Sequence, residues 1–256
     1  MQQTQLSPVG LRLEGVDLGA GSVAPEELQR LLAEHGVLVV PGQTLDDEQF
    51  TEFLRSLGEL TFTKGEIPVD GHPDLNVISN VGRTEPPRSS WHVDTSYVAR
   101  IPAYTALRTV EVPEVGGETL FTNQYRAYET LPDDLKRELD GRTITHAVTG
   151  VEPGPDEETS AEHDVFRTHP ISGRTAVYIS MPARCVAVSG MDEEQAKRAV
   201  QAAFDHSTRE DNVLRHSWAP GDVVIWDNRC VLHKADHSGV VGDRVMHRGM
   251  VLEPAA

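Results

Sequence analysis

The sequence predicts a mainly β domain, a sandwich or jelly-roll barrel with helices packed outside it. Two observations carry that prediction. From about Leu75 onward the chain breaks into many short β-type runs separated by Gly, Pro and Asp. The breaks are seldom of hairpin length, which suits two packed sheets better than a meander.

Taken in order, the elements begin with a helix over Pro25–His35, where Leu28, Leu31, Leu32 and His35 recur at i, i+3, i+4 and i+7. GVLVV (36–40) reads as a short buried strand. A second helix covers Leu45–Leu57, with Phe50, Phe53, Leu54 and Leu57 on one face and Thr44 as its expected N-cap. Strands follow at LNVIS (75–79), TALRTVEV (105–112), ETLFTN (118–123), RTITHAV (142–148), RTAVYIS (174–180), GDVVIWD (221–227) and RVMHRGMVL (244–252). Helices interrupt them around Pro132–Leu139 and over Asp192–Phe204. There is no internal repeat and no linker-like stretch, so residues 1–256 are expected to form a single domain. The acidic, Pro-containing segment 151–164 reads as a solvated loop, either a surface insertion or a lid over a pocket.

With 23 basic and 40 acidic residues the 256-residue chain carries a net charge of −17, which excludes a nucleic-acid partner and disfavours an anionic membrane. Two distant cysteines, no signal-peptide pattern and no long apolar run lead us to expect a cytoplasmic protein. Eleven histidines, about twice the usual share, direct attention to metal or proton chemistry.

In WHVDTSY (91–97), His92 and Asp94 would share one face of an extended chain and offer an imidazole and a carboxylate to a divalent metal. A third ligand, His233, follows the apolar run GDVVIWD. Two His and one Asp make the facial triad of non-haem Fe(II) oxygenases, which leaves coordination positions free for a bidentate co-substrate and for dioxygen. Arg244 and Arg248, four apart in an apolar strand, point to the same side. If that side is the interior, two permanent charges are buried and need an anion, which a dicarboxylate co-substrate would supply. If it is an edge, both sit in solvent.

With these residues in place, the sequence resembles the Fe(II)/2-oxoglutarate-dependent taurine/2,4-D dioxygenases of the TauD/TfdA type over nearly its whole length. WHVD (91–94), VGGETLF (115–121) and PGDVVIWDNRCVLH…RVMHR (220–248) carry the likeness, with RTHPISGRTAVYIS (167–180) as a weaker match. The spacings agree too: 27 residues from His92 to Thr119, and 11 and 15 from His233 to Arg244 and Arg248.

The resemblance implies a double-stranded β-helix, a cupin-like jelly roll. It implies Fe(II) held by His92, Asp94 and His233, and 2-oxoglutarate held at its distal carboxylate by Thr119 and Arg244. Arg248 would contact either co-substrate or substrate. The implied activity uses O2 to oxidise an unactivated C–H bond of a small, anionic substrate, by hydroxylation or by the cleavage or desaturation that can follow, and releases succinate and CO2. Thr63 stands where taurine dioxygenase has a substrate-binding histidine, which argues against taurine. Asp94 in place of a small residue argues against halogenation.

For the substrate side, Tyr97 either lines the pocket or packs in the core. Asn80 either faces the co-substrate or caps its strand. Lys64, Arg83, Arg88 and Arg100 cluster around the metal motif, either to recognise an anion or as scattered surface charge. The family often forms dimers or tetramers, so a homo-oligomer is compatible. The competing classes are a cupin-like metal enzyme that does not use 2-oxoglutarate, and a non-catalytic binding protein on the same scaffold.

Overall fold

A computed structural model describes residues 1–63, 65–83, 89–150, 154 and 157–255. The β-rich reading holds, and the fold is a jelly roll of two facing sheets. The larger has nine strands, and its central three are Val223–Asp227, Pro102–Glu111 and Val245–Leu252, all antiparallel. Facing it is a three-stranded sheet of Val213–His216, Thr119–Thr122 and His233–Ala235. Among the described residues no helix is long and apolar enough to cross a membrane.

The centre of the large sheet is buried on both sides, and its strands there alternate between two cores. Val37, Val39, Val224, Trp226 and Met246 face inward, toward Phe121 of the small sheet. Leu38, Val40, Val223, Ile225 and Val251 face outward. That double burial is why GVLVV and GDVVIWD read as unbroken apolar runs rather than alternating ones. The outward core is closed by helix α1 (Pro25–His35) through Leu28, Leu31 and Leu32, and by α2 (Asp47–Leu57) through Phe50, Phe53 and Leu54.

The first helix has the expected bounds, whereas the second starts later and is capped by Asp46, not Thr44. Asp46 accepts the Gln49 N–H at 2.8 Å while the Gln49 side chain accepts the Asp46 N–H at 3.1 Å. This reciprocal box needs an acceptor followed three residues on by Gln or Glu, which Thr44 lacks. Beyond the expected helices α4 (Asp133–Leu139) and α5 (Glu193–Ser207), a short α3 (Gln124–Thr130) follows its strand directly, started by Asn123 accepting from the Arg126 N–H. RTAVYIS contributes only Thr175–Val177 to a strand, and Tyr178 and Ile179 beyond it are buried in a core with Ala196, Ala199 and Val200 of α5.

The acidic segment also differs from expectation. Ser160–Asp164 is a strand paired with Thr143–Ala147, with His163 buried and Ser160, Glu162 and Asp164 exposed. Its polar composition is that of an edge strand with one wet face. Residues 151–153 and 155–156 of the expected loop or lid lie outside the described residues.

Candidate metal and co-substrate site

The segment 91–97 is not a strand. It makes a single antiparallel bridge, His92 opposite His233, with both N–H···O=C bonds at 3.0 Å. The pairing sets the two imidazoles side by side, ring centroids 4.3 Å apart. Two residues on, Asp94 returns to the same side, and the chain then leaves through Thr95 at φ 47°. His233 opens a new strand of the small sheet, after a turn, rather than ending the apolar run before it.

The result is a compact donor set. Asp94 Oδ1 lies 3.5 Å from His92 Nε2, and Asp94 Oδ2 lies 3.6 Å from His233 Nε2. One donor atom from each of His92, Asp94 and His233 falls within 4.8 Å of the others, the only such cluster among the described residues. His92 Nδ1 is 2.8 Å from the Ser90 carbonyl, which can only accept, so the proton sits on Nδ1 and Nε2 keeps its lone pair. Burial pulls His233 down to about 3, against the pull of Asp94. Burial pushes Asp94 up, but His233, His92 and Arg248 outweigh it and hold the carboxyl well below the usual range. Two imidazoles and a carboxylate fit a divalent iron.

Behind Asp94 runs a hydrogen-bonded chain. Thr105 donates to Asp94 Oδ2 at 2.8 Å, Asn228 donates to Thr105 at 2.8 Å, and the Trp226 indole donates to Asn228 at 3.2 Å. Of this chain only Asp94 stood out in the sequence.

Arg244 and Arg248 are both interior. Arg244 is 1% exposed, its Nε donates to the Gly117 carbonyl at 2.9 Å and its Nη2 to the Thr119 hydroxyl at 3.4 Å. Its Nη1 is buried without a partner. Burial alone pulls the guanidinium down to about 10, so it remains charged at neutral pH. Thr119 Oγ1 also accepts from the Trp218 indole at 3.0 Å. With both lone pairs engaged, the threonine proton is free for an acceptor.

Arg248 is different. Asp94 Oδ1 lies 3.5 Å from its Nη1, and its Nη2 is hydrogen-bonded to the Glu66 carboxylate and, at 3.3 Å, to Asn76. Burial lowers Arg248, but Asp94 and Glu66 more than reverse it.

A cavity of about 520 Å³ joins His92, His233, Thr119, Arg244, Arg248 and Glu66, a volume ordinary for a small-molecule site. Arg83 reaches the same cavity, its Nε on the Ser79 carbonyl. Tyr97 lines a neighbouring cavity of about 180 Å³ with Thr63 and Arg100 instead. Arg100 itself is tied to Glu59 and the Glu253 carbonyl. Asn80 clasps backbone: its Oδ1 accepts the Arg244 N–H at 2.7 Å and its Nδ2 donates to Gly242 at 3.1 Å. Lys64 and Arg88 lie outside the described residues. Among the described residues His237 also lines the main cavity, with a buried Nδ1 that has no partner.

The family profile for "Taurine catabolism dioxygenase TauD, TfdA family" matches residues 2–250. The chain is 31% identical to the alpha-ketoglutarate-dependent 2,4-dichlorophenoxyacetate dioxygenase of Cupriavidus pinatubonensis, over 95% of this chain and 94% of that protein. It is 30% identical to the alpha-ketoglutarate-dependent sulfate ester dioxygenase of Pseudomonas putida, over 94% of this chain and 85% of that protein. A crystal structure of a taurine dioxygenase from Burkholderia xenovorans superposes with a TM-score of 0.85 at 29% identity, covering 99% of this chain and 91% of that one. A profile match across almost the entire chain, on a jelly roll that gathers two imidazoles and a carboxylate beside a buried arginine, establishes that this chain belongs to the TauD/TfdA family and is an Fe(II)- and 2-oxoglutarate-dependent dioxygenase.

Proposed function

We propose that His92, Asp94 and His233 hold Fe(II), that Thr119 and Arg244 hold the distal carboxylate of 2-oxoglutarate, and that the chain acts as one domain on a small anionic substrate. The observation that carries the co-substrate assignment is Arg244, a fully buried cation that, among the described residues, meets only neutral acceptors. A guanidinium in that setting needs an anion, and a carboxylate takes two of its N–H donors in a fixed plane. Thr119, whose free proton requires an acceptor, is complementary to the same carboxylate. A cupin-like enzyme without 2-oxoglutarate, or a non-catalytic binding protein, would leave both groups unmatched.

Fe(II) with 2-oxoglutarate supplies the oxidising power for an unactivated C–H bond, with succinate and CO2 as co-products. The chain contributes placement. Thr105 fixes the rotation of Asp94, the Ser90 carbonyl fixes the tautomer of His92, and the two arginines divide the cavity between two anionic groups. The relatives' names, a dichlorophenoxyacetate and a sulfate ester, both denote anions, which agrees with Arg83 and Arg248 on the cavity wall.

The test is to add Fe(II) and then 2-oxoglutarate to metal-free protein without oxygen, and to follow the visible spectrum. A weak charge-transfer band that needs both additions is expected, and its absence in Arg244→Ala. Iron binding with no band in the wild type would overturn the co-substrate assignment and favour the cupin-like alternative.

A further inference from the structure

The two interior arginines face one cavity but are not equivalent. Among the described residues Arg244 meets no carboxylate, whereas Arg248 is flanked by two, Asp94 and Glu66. Asp94 belongs to the donor set for iron. Glu66 does not, and it reaches Arg248 from a loop 182 residues away in sequence. From this asymmetry, and resting on the reading of the substrate as a small anion, we propose that Glu66 is a specificity-determining residue: its carboxylate occupies Arg248 until an anionic substrate exchanges with it.

The exchange has a direction. The Arg248 side chain is 11% exposed and that of Glu66 27%, so the carboxylate is the partner able to withdraw into water. The loop is built for that movement. Gly65, immediately before Glu66, has φ +87° with nothing within 4 Å of where a Cβ would stand. Beyond it the chain is anchored, the Val77 N–H donating to the Ile67 carbonyl at 2.9 Å. The Glu66 side chain can therefore leave Arg248 without unpairing the sheet.

Charge also favours exchange over coexistence. A substrate carboxylate placed on Arg248 with Glu66 still in position would set two like charges against one guanidinium at a mostly buried site, which is strongly unfavourable. A neutral substrate meets no such conflict and gains nothing from the loss of Glu66. Glu66 thus taxes anion binding by the strength of its own ion pair, and the tax disappears when its charge is removed.

The probes are phenoxyacetate and its neutral analogue phenoxyacetamide, titrated calorimetrically into the anaerobic protein loaded with Fe(II) and 2-oxoglutarate. Glu66→Gln is expected to bind phenoxyacetate about tenfold more tightly than the wild type and phenoxyacetamide equally well. Glu66→Asp, which keeps the charge but shortens the reach to Arg248, should fall between them. No tightening of phenoxyacetate, binding to neither protein included, would overturn the proposal, as would equal tightening of acid and amide. Weaker binding of the acid to Glu66→Gln would also overturn it, by making Glu66 a direct contact. The charge-transfer band separates the two levels of inference. Its absence from the wild type defeats the co-substrate assignment, whereas a normal band with unchanged probe affinities defeats the Glu66 proposal alone.

Discussion

The Thr119 hydroxyl sits between the Trp218 indole at 3.0 Å and the Arg244 guanidinium at 3.4 Å, accepting from both. A hydroxyl so engaged has only its proton left to offer, and it offers it beside a guanidinium nitrogen that is buried and unpartnered. The pair is a template for a carboxylate. Arg244→Ala should therefore weaken 2-oxoglutarate binding by about a hundredfold or more, the scale for truncating one side of a buried charged contact. Thr119→Val should cost about tenfold, as one hydrogen bond to a charged group. Equilibrium dialysis with 2-oxoglutarate, with iron content measured in parallel, checks both: iron should stay bound in each variant.

Gly117 makes the same site sensitive to a methyl group. It lies at φ +74°, and a Cβ there would come within 2.9 Å of both Arg244 Cδ and Pro113 Cγ. Its carbonyl also accepts from Arg244 Nε. Gly117→Ala should lose about 1–2 kcal/mol to the left-handed backbone alone, and should shift Arg244 as well. A lower Tm together with weakened 2-oxoglutarate binding is expected. A lower Tm with unchanged affinity would show that Arg244 keeps its place.

How much of this was legible in the sequence depends on how locally each feature is encoded. The helix over Pro25–His35 was readable because its apolar stripe repeats within eleven contiguous residues. That Arg244 and Arg248 share a side was readable from their four-residue spacing at an apolar strand, but that the side is the interior was not, because an edge strand would carry the same spacing. His92 and Asp94 do meet, though through a bridge and a turn rather than a strand, since Thr95 leaves the extended region directly afterwards. Glu66, Trp218 and Asn228 were not singled out. Each acts on a partner brought close only by folding, and one more Glu on an acidic chain carries no local signal. The Asp192 cap of the last helix, reciprocal with Gln195, shows the opposite case, in which four residues suffice.

The chain behind Asp94 gives a prediction at a distance from the iron. Thr105 is fully buried and holds Asp94 Oδ2 while accepting from Asn228. Thr105→Val keeps the shape but removes both hydrogen bonds and leaves the Asn228 amide without its acceptor. Partners of metal ligands are typically worth about 10–100-fold in metal affinity. Competition for Fe(II) against a chelator should show a loss in that range, with 2-oxoglutarate affinity of the iron-saturated variant close to that of the wild type.

A buried histidine remote from the iron should govern acid sensitivity. His146 is inaccessible, stacked on Tyr178 at 5.5 Å with its Nδ1 unpartnered. Burial above all, with His163, Arg184 and Arg167 nearby, pulls it down from 6.5 to about 3. The sign follows from which state takes up the proton. Between about pH 6.5 and pH 3 the unfolded chain binds a proton at this histidine and the folded chain does not, so stability falls as pH falls through that window. This single group should cost about 2 kcal/mol between pH 7 and pH 5. His146→Phe, which keeps an aromatic ring against Tyr178, should flatten the pH dependence of urea unfolding by that amount. An unchanged slope in the variant would mean that His146 carries a proton when folded. The acid sensitivity would then have to come from the other histidines that burial depresses, among them His163 and His237.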